Sequence, residues 1–272
     1  MTSLPAMLNA RPRIPRPLLA LLGALALLSA ALAEPVVRDY APTDATGEML
    51  GKYKTAVDAK NYDSALALLD GQLAKVPADS YDAALLYQIK TQTLLQKGDF
   101  SKVIEPLEKG LALSDSKTPT YYEDRATRDL VFFLAQLYLQ EAVQSKNKAQ
   151  AAVLFEKADK TMERYLRINP KPTPDAQLIY AQLLYNRAVQ DSEHPDLAIL
   201  KRALVQIEIG LKLSTRPKDI LYVLKLVCLQ QLNRNDEAVE ILELLVKQKP
   251  DSATYWPQLV QPHRHLLQHL PV

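Results

Sequence analysis

The chain has 272 residues, 48% hydrophobic and 24% charged, with 18 Pro, 7 Gly and one Cys. This is a globular balance, not a disordered one, and so little Gly argues against phosphate loops and tight β-hairpin turns. A formal net charge of +2 gives no reason to expect a nucleic-acid partner, and a lone Cys leaves no internal disulfide.

Residues 1–33 read as an export signal. Arg11, Arg13 and Arg16 precede an apolar run from Leu18 to Leu32. Ala31-Leu32-Ala33 then puts small residues at the two positions a signal peptidase reads. The run is shorter than the roughly 20 residues of a membrane span. Cleavage after Ala33 is therefore expected, with a retained inner-membrane signal anchor as the alternative. No Cys stands at the exit, which argues against a lipid anchor, and no later stretch is apolar enough to cross a bilayer. Removing residues 1–33 takes away three Arg and no acid. It leaves 30 basic and 31 acidic residues, a net charge of −1.

Residues 34–46, with Pro35, Asp39, Pro42 and Asp44, read as a flexible lead-in. From residue 47 onward helical stretches alternate with breaks made of turn and capping residues. The breaks fall at Lys60-Asn61, Pro77-Ala78-Asp79, Lys97-Gly98-Asp99, Asp115 to Pro119 and Lys146-Asn147. They continue at Asn169 to Pro174, His194-Pro195, Thr215 to Pro217, Asn233 to Asn235 and Pro250-Asp251. Ten breaks predict about eleven helices. No segment sustains a period-two alternation, so no sheet is expected.

The breaks recur, and so do the residue types between them. In Asp219 to Ser252, 34 residues, a first helix carries Tyr222, Leu226 and Leu229. A turn follows at Asn233-Arg234-Asn235. A second helix carries Ala238, Leu242 and Leu245 and stops at Lys249-Pro250. Gly98-Asp99-Phe100 and the ending Arg167-Ile168-Asn169-Pro170 belong to comparable units. The second-helix anchors fall at Ala65, Val103, Ala158, Ala203 and Ala238, spaced 38, 55, 45 and 35 residues apart. The pattern resembles the tetratricopeptide repeat family over about residues 47–260. Two departures stand out. Val103 replaces the family's Ala, and Pro106 inside a second helix should kink or delay it.

Several other residues invite a functional reading. His263, His265 and His269 cluster near the end, but no Cys or carboxylate accompanies them, so a solvated tail is expected and no metal site. Cys228 lies in an apolar run with no His within 30 residues and reads as a buried hydrophobe. Half of each aromatic pair, Tyr121-Tyr122 and Phe132-Phe133, should pack in the core. The acids of Glu123-Asp124 and Asp236-Glu237 suit helix starts. Trp256 looks like the opening of a sixth unit, with Pro257 and Pro262 close behind.

The resemblance implies an all-α, right-handed superhelix of antiparallel helix pairs, about five degenerate repeats and a C-terminal helix over residues 47–272. Its concave face would be lined by first helices, and the family's inward positions map onto Gln88, Gln92, Arg128, Tyr138, Asn186, Arg187 and Gln230. It implies a non-catalytic scaffold or adaptor, without a cofactor, that binds a protein or peptide partner. With the export signal, the expected place is the periplasm of a Gram-negative bacterium. The alternative is a helical domain that assists cell-wall or polysaccharide processing or export by holding a glycan or an enzyme.

Overall fold

A computed structural model describes residues 38–248 and residue 250. The chain divides into two units, residues 1–40 and residues 41–272, and every described helix belongs to the second. Those helices are α1 Asp44–Asp58, α2 Tyr62–Leu73, α3 Tyr81–Lys97, α4 Ile104–Asp115 and α5 Asp124–Gln144, then α6 Lys148–Ile168, α7 Pro174–Ala188, α8 Leu197–Leu213, α9 Asp219–Gln231 and α10 Asn235–Gln248. Ten helices and no strand occur among the described residues. Nine of the ten predicted breaks separate them. Asp251 of the tenth break and the predicted eleventh helix, with Trp256 and the three late His, lie outside the described residues, as does the export signal.

The breaks work through local chemistry. Side chains of Thr43, Asn61, Ser80, Asn147, Thr173 and Asp196 accept hydrogen bonds from the first turns of α1, α2, α3, α6, α7 and α8. Each satisfies a backbone N–H that has no partner inside the helix. Pro174 opens α7, where its missing N–H costs nothing. Gly98 ends α3 with φ 82°, a left-handed conformation that Gly adopts without strain. Pro106 falls in the first turn of α4, and a 3-10 turn at Phe100–Lys102 occupies the preceding residues. The proline therefore delays the second helix instead of kinking it.

Successive helices pack as hairpins, α1 with α2, α3 with α4, and so on to α9 with α10, each pair also resting on the next. This is an α-solenoid of helix pairs. No pair could bury its apolar face alone, and stacking supplies the shared core. All five predicted anchors are buried: Ala65, Val103, Ala158, Ala203 and Ala238. Around them lie Leu69, Leu86, Met162, Leu184, Leu200, Ile207, Leu226 and Leu229, each fully enclosed.

Ion pairs across the junctions share one polarity. Asp70 of α2 meets Lys90 of α3 at 2.6 Å, and Asp115 of α4 meets Arg164 of α6 at 2.7 Å. Asp159 of α6 meets Arg202 of α8 at 2.8 Å, and Glu208 of α8 meets Lys225 of α9 at 3.5 Å. In these four the acid comes from the second helix of the earlier pair and the base from the later pair; Asp175 with Lys218 keeps the order but draws its acid from the first helix α7. The exposed pairs among them contribute at most about 1 kcal/mol each; Asp159 is buried and is the exception. Their consistent sign disfavours a pair docking in the wrong orientation.

Candidate functional site on the open faces of the first helices

The first helix of each pair has one face turned to its neighbours and one left open. On α3 the open face carries Leu85, Gln88, Gln92, Leu95 and Gln96, all half-buried or exposed. The same reading gives Gln136 and Gln140 on α5, Ile179, Gln182 and Asn186 on α7, and Val223 and Gln230 on α9; Phe132 and Leu139, beside the α5 glutamines, pack toward α6. The spacing of three and four residues places each set along one stripe of its helix.

Two properties distinguish these stripes. The first is repetition of carboxamides at i, i+4, in Gln88–Gln92–Gln96, Gln136–Gln140–Gln144 and Gln182–Asn186. Gln230 stands in the matching place on α9. The second is absence of charge beyond the opening turns. Past their first two turns, the charged residues of α3, α5, α7 and α9 are Lys90, Lys97, Glu141, Arg187 and Lys225. Lys90 pairs with Asp70, Lys97 with Asp63, Arg187 with Asp159 and Lys225 with Glu208. Glu141 is half-buried on the side of α5 that carries Tyr138, whose hydroxyl its charge helps to hold protonated.

The carboxamides are mostly uncommitted. Gln88, Gln92, Gln140, Gln182 and Gln230 make no side-chain hydrogen bond. The Asn186 amide donates to the Gln182 carbonyl at 2.9 Å within its own helix, and Gln136 makes a longer contact of the same kind to Phe132 at 3.4 Å. Each free carboxamide offers two donors and an acceptor to whatever lies on the face.

The structure brings four of the seven expected residues, Gln88, Gln92, Asn186 and Gln230, onto this face. Arg128 sits at its edge in the second turn of α5, half-buried. Tyr138 and Arg187 point the other way. Tyr138 is 4% exposed, and its hydroxyl hydrogen-bonds Glu108 of α4 while Lys157 of α6 lies 5.3 Å from its ring centre. Arg187 pairs with the buried Asp159 of α6. A single residue of register, about 100° around the helix, separates Arg187 from Asn186 and Tyr138 from its neighbour Leu139, so a degenerate repeat pattern does not separate the two stripes. Gln96, Gln136, Gln140 and Gln182 lie on the same stripes and are not among the expected residues. The signal that finds them is the i, i+4 recurrence of amides, legible without any family pattern.

The aromatic pairs are divided as composition suggested for one of them. Tyr122 is buried and donates to the Ala84 carbonyl at 2.6 Å, whereas Tyr121 is half-buried and donates to the Asp79 carbonyl at 3.1 Å. Phe132 and Phe133 are both half-buried, and Phe132 stacks on Tyr165 with ring centres 4.7 Å apart. Cys228 is fully enclosed, and burial pushes its thiol up to about 12, so it is a hydrophobe and not a nucleophile. Among the described residues no cluster of His, Cys, Asp and Glu could hold a metal ion, and no helix is long and apolar enough to cross a membrane.

Stacked helical hairpins with an uncharged, amide-lined face define a helical-repeat protein with a candidate binding surface. No family model matches the chain, and no curated relative does. Among solved structures it is similar to MamA (AMB-1), at 16% identity and a TM-score of 0.49, over 79% of this chain and 97% of that one. It is similar also to TTC0263, a thermophilic TPR protein in Thermus thermophilus, at 17% and 0.37 over 79% and 97%. A tetratricopeptide repeat protein from Parabacteroides merdae matches at 18% and 0.27, over 80% and 98%. Identities and scores of this size carry no reading of function.

Proposed function

We propose that this chain is a non-catalytic scaffold of the bacterial cell envelope, exported by residues 1–33, that holds a segment of another polypeptide along the open faces of α3, α5, α7 and α9. The observation that carries this reading is the recurrence of uncommitted carboxamides, Gln88, Gln92, Gln140, Gln182 and Gln230, on four successive first helices. Surface glutamines scattered at random would be ordinary. Recurrence on consecutive first helices is what a segment lying across them requires. The buried titratable groups support a non-catalytic role, because each serves packing: Asp159 joins two hairpins and Asp82 ties α1 to α3.

Site-specific photo-crosslinking tests the reading. A crosslinker at Gln136 should capture a discrete envelope polypeptide in cells, and one at Lys160, on the exposed side of α6, should not. Equal capture at both positions, or none at Gln136, would remove the face from consideration. N-terminal sequencing of the exported protein should begin at Glu34. A start at Met1 in the membrane fraction would make residues 1–33 an anchor.

A further inference from the structure

The outward side of α8 differs from that of every other second helix. Leu197, Val205, Ile209 and Leu213, four of the seven large apolar side chains exposed among the described residues, lie on it. Its remaining exposed positions are Ala198, Lys201 and Lys212. Steps of three and four residues put all of these on one stripe. On α2, α4 and α10 the exposed positions carry small, polar or charged residues, and on α6 Val153 stands among acids and bases. A contiguous apolar stripe rimmed by charge marks a contact surface, whereas single exposed apolar residues are ordinary.

Charge indicates what the contact is with. Lys201 and Lys212 lie within the stripe, Arg216 follows it, and none of the three has an ion-pair partner among the described residues. The one acid of α8, Glu208, sits at the edge and pairs with Lys225 at 3.5 Å. As successive second helices, α6 and α8 run in the same direction, and Arg202 of α8 reaches Asp159 and Glu163 of α6. Arg167 and Lys171, exposed and unpaired, therefore add two cations at the Leu213 end. Asp175, at that end, is taken up by Lys218 at 2.8 Å.

The occupant must supply negative charge and accept aliphatic side chains. A second copy meeting this one face to face would set lysine against lysine. Residues 252–272 contain no acid, so that segment of the chain brings no counter-charge either. A folded protein partner fits poorly, because lysine is depleted at protein–protein interfaces and the stripe has no aromatic anchor. A bilayer fits. Lysine lays its aliphatic stem along the apolar boundary and raises its ammonium to the phosphates, while Leu, Val and Ile enter the edge of the acyl layer.

We propose that the outward side of α8 is a docking surface for an anionic bilayer. Leu197, Val205, Ile209 and Leu213 enter the boundary between headgroups and acyl chains, and Lys201, Lys212 and Arg216 meet lipid phosphates. Because α8 is a second helix, this contact leaves the amide-lined faces of the first helices open to a polypeptide.

The test is cosedimentation with vesicles of residues 34–272, which carry every described helix and lack the apolar run Leu18–Leu32. Vesicles of equal parts phosphatidylcholine and phosphatidylglycerol should bind this chain at least about tenfold more tightly than phosphatidylcholine alone, and added salt should weaken the binding. Lys201→Gln with Lys212→Gln should weaken it about tenfold, and Val205→Gln with Ile209→Gln by about the same factor. Lys52→Gln with Lys146→Gln makes the same charge change at exposed positions on other elements and should alter binding by less than about twofold. Every substituted position is exposed, so helical circular dichroism should be retained. An environment-sensitive dye on Val205→Cys should shift to the blue on the mixed vesicles, and one on Glu240→Cys should not. Cys228 is enclosed and does not take the dye. Equal binding to both kinds of vesicle overturns the proposal. So does equal weakening by the Lys52 and Lys146 pair, which would make the attraction one of net charge, and so does an unshifted dye at position 205. Capture of an acidic polypeptide at position 205 without vesicle binding would overturn it in favour of a protein partner. Crosslinking at Gln136 is a separate readout, and its failure removes the polypeptide-binding reading while leaving this one standing.

Discussion

Arg202 on α8 holds the carboxylate of Asp159 on α6 by two parallel hydrogen bonds, Nη1 to Oδ2 at 2.9 Å and Nη2 to Oδ1 at 2.8 Å. Tyr180 of α7 donates to Oδ1 at 2.8 Å, and Arg187 of α7 pairs with Oδ2. Asp159 is 4% exposed, so removing it from water is costly unless every partner is in place. Three helices from two hairpins converge on this one group.

Asp159→Ala should therefore loosen the joint between the third and fourth hairpins. The two arginines keep 40% and 27% side-chain exposure and can rehydrate. The expected loss is about 1–3 kcal/mol, below the 3–5 kcal/mol of a fully buried pair. Arg187→Ala leaves Arg202 and Tyr180 in place and should cost about 1 kcal/mol. Urea melts measure both. A parent-like melt of Asp159→Ala would show that the carboxylate is not a joint. The contrast with the open face is direct: Gln182→Ala should reduce ligand capture and leave melting within about 0.5 kcal/mol, whereas Arg187→Ala should do the reverse.

Asp82 predicts a pH dependence. Its carboxylate is buried at the start of α3 and accepts from the Thr43 hydroxyl at 2.5 Å, the Thr46 hydroxyl at 2.7 Å and the Thr43 amide at 3.1 Å. Burial alone would raise its pKa, but those hydrogen bonds outweigh it and hold the group below the ordinary carboxylate range. A folded-state pKa below the unfolded one adds stability that is complete above the unfolded value, about 3.9. That stability is lost as pH falls through the folded value. Amide protection in α1 should thus decline below about pH 4 more steeply than in α7. In Asp82→Asn the protection of α1 should already be low at neutral pH and show no further step. Identical profiles for the variant and the parent would assign the anchoring of α1 to other contacts.

How far the sequence foretold this molecule depends on which chemistry sets each feature. Breaks such as Asn61, Gly98 and Pro174 act locally, through capping and backbone conformation, and their positions follow from residue type. Anchors such as Ala158 and Ala203 follow from a size limit repeated in every unit. Tyr138 and Arg187 were misplaced because both stripes of a first helix carry polar residues, so periodicity alone does not tell which stripe faces a neighbour. Their partners, Glu108 and Asp159, lie 30 and 28 residues away on other helices. The ladder of glutamines was legible in principle, since i, i+4 spacing is local. Single glutamines on helices are common, so only their recurrence marks the ladder.

Ala238 tests the helix register. It is 4% exposed where α10 packs on α9, beside a core that includes Leu226 and Leu229. Ala238→Leu should overpack that contact and cost about 1–3 kcal/mol. Glu240, two residues on, is exposed, and Glu240→Leu should change stability by no more than about 0.5 kcal/mol. Equal urea midpoints for the two variants would contradict the packing of α9 on α10.

Two glycines in second helices should respond to alanine with opposite signs. Gly71, in α2, has no atom within 4 Å of where a Cβ would lie, and it is exposed. Gly71→Ala should stabilise the chain by about 0.5–1 kcal/mol, because alanine loses less conformational freedom on entering a helix. Gly110, in α4, is buried, and a Cβ there would run into the Tyr122 hydroxyl and lie 3.2 Å from the Cβ of Tyr87. That hydroxyl cannot simply move aside. It donates to the Ala84 carbonyl at 2.6 Å, and the Tyr122 amide donates to the Ser114 hydroxyl at 2.8 Å, so one tyrosine fastens the 116–123 connection to both α3 and α4. Displacing it forfeits a buried hydrogen bond and strains the packing, and Gly110→Ala should lose about 1–3 kcal/mol despite the gain in helix propensity. Tyr122→Phe removes the colliding oxygen. In a double-mutant cycle, the loss for Gly110→Ala with Tyr122→Phe should fall short of the summed single losses by about 1 kcal/mol. Additive losses would mean that the alanine methyl meets something other than the tyrosine hydroxyl.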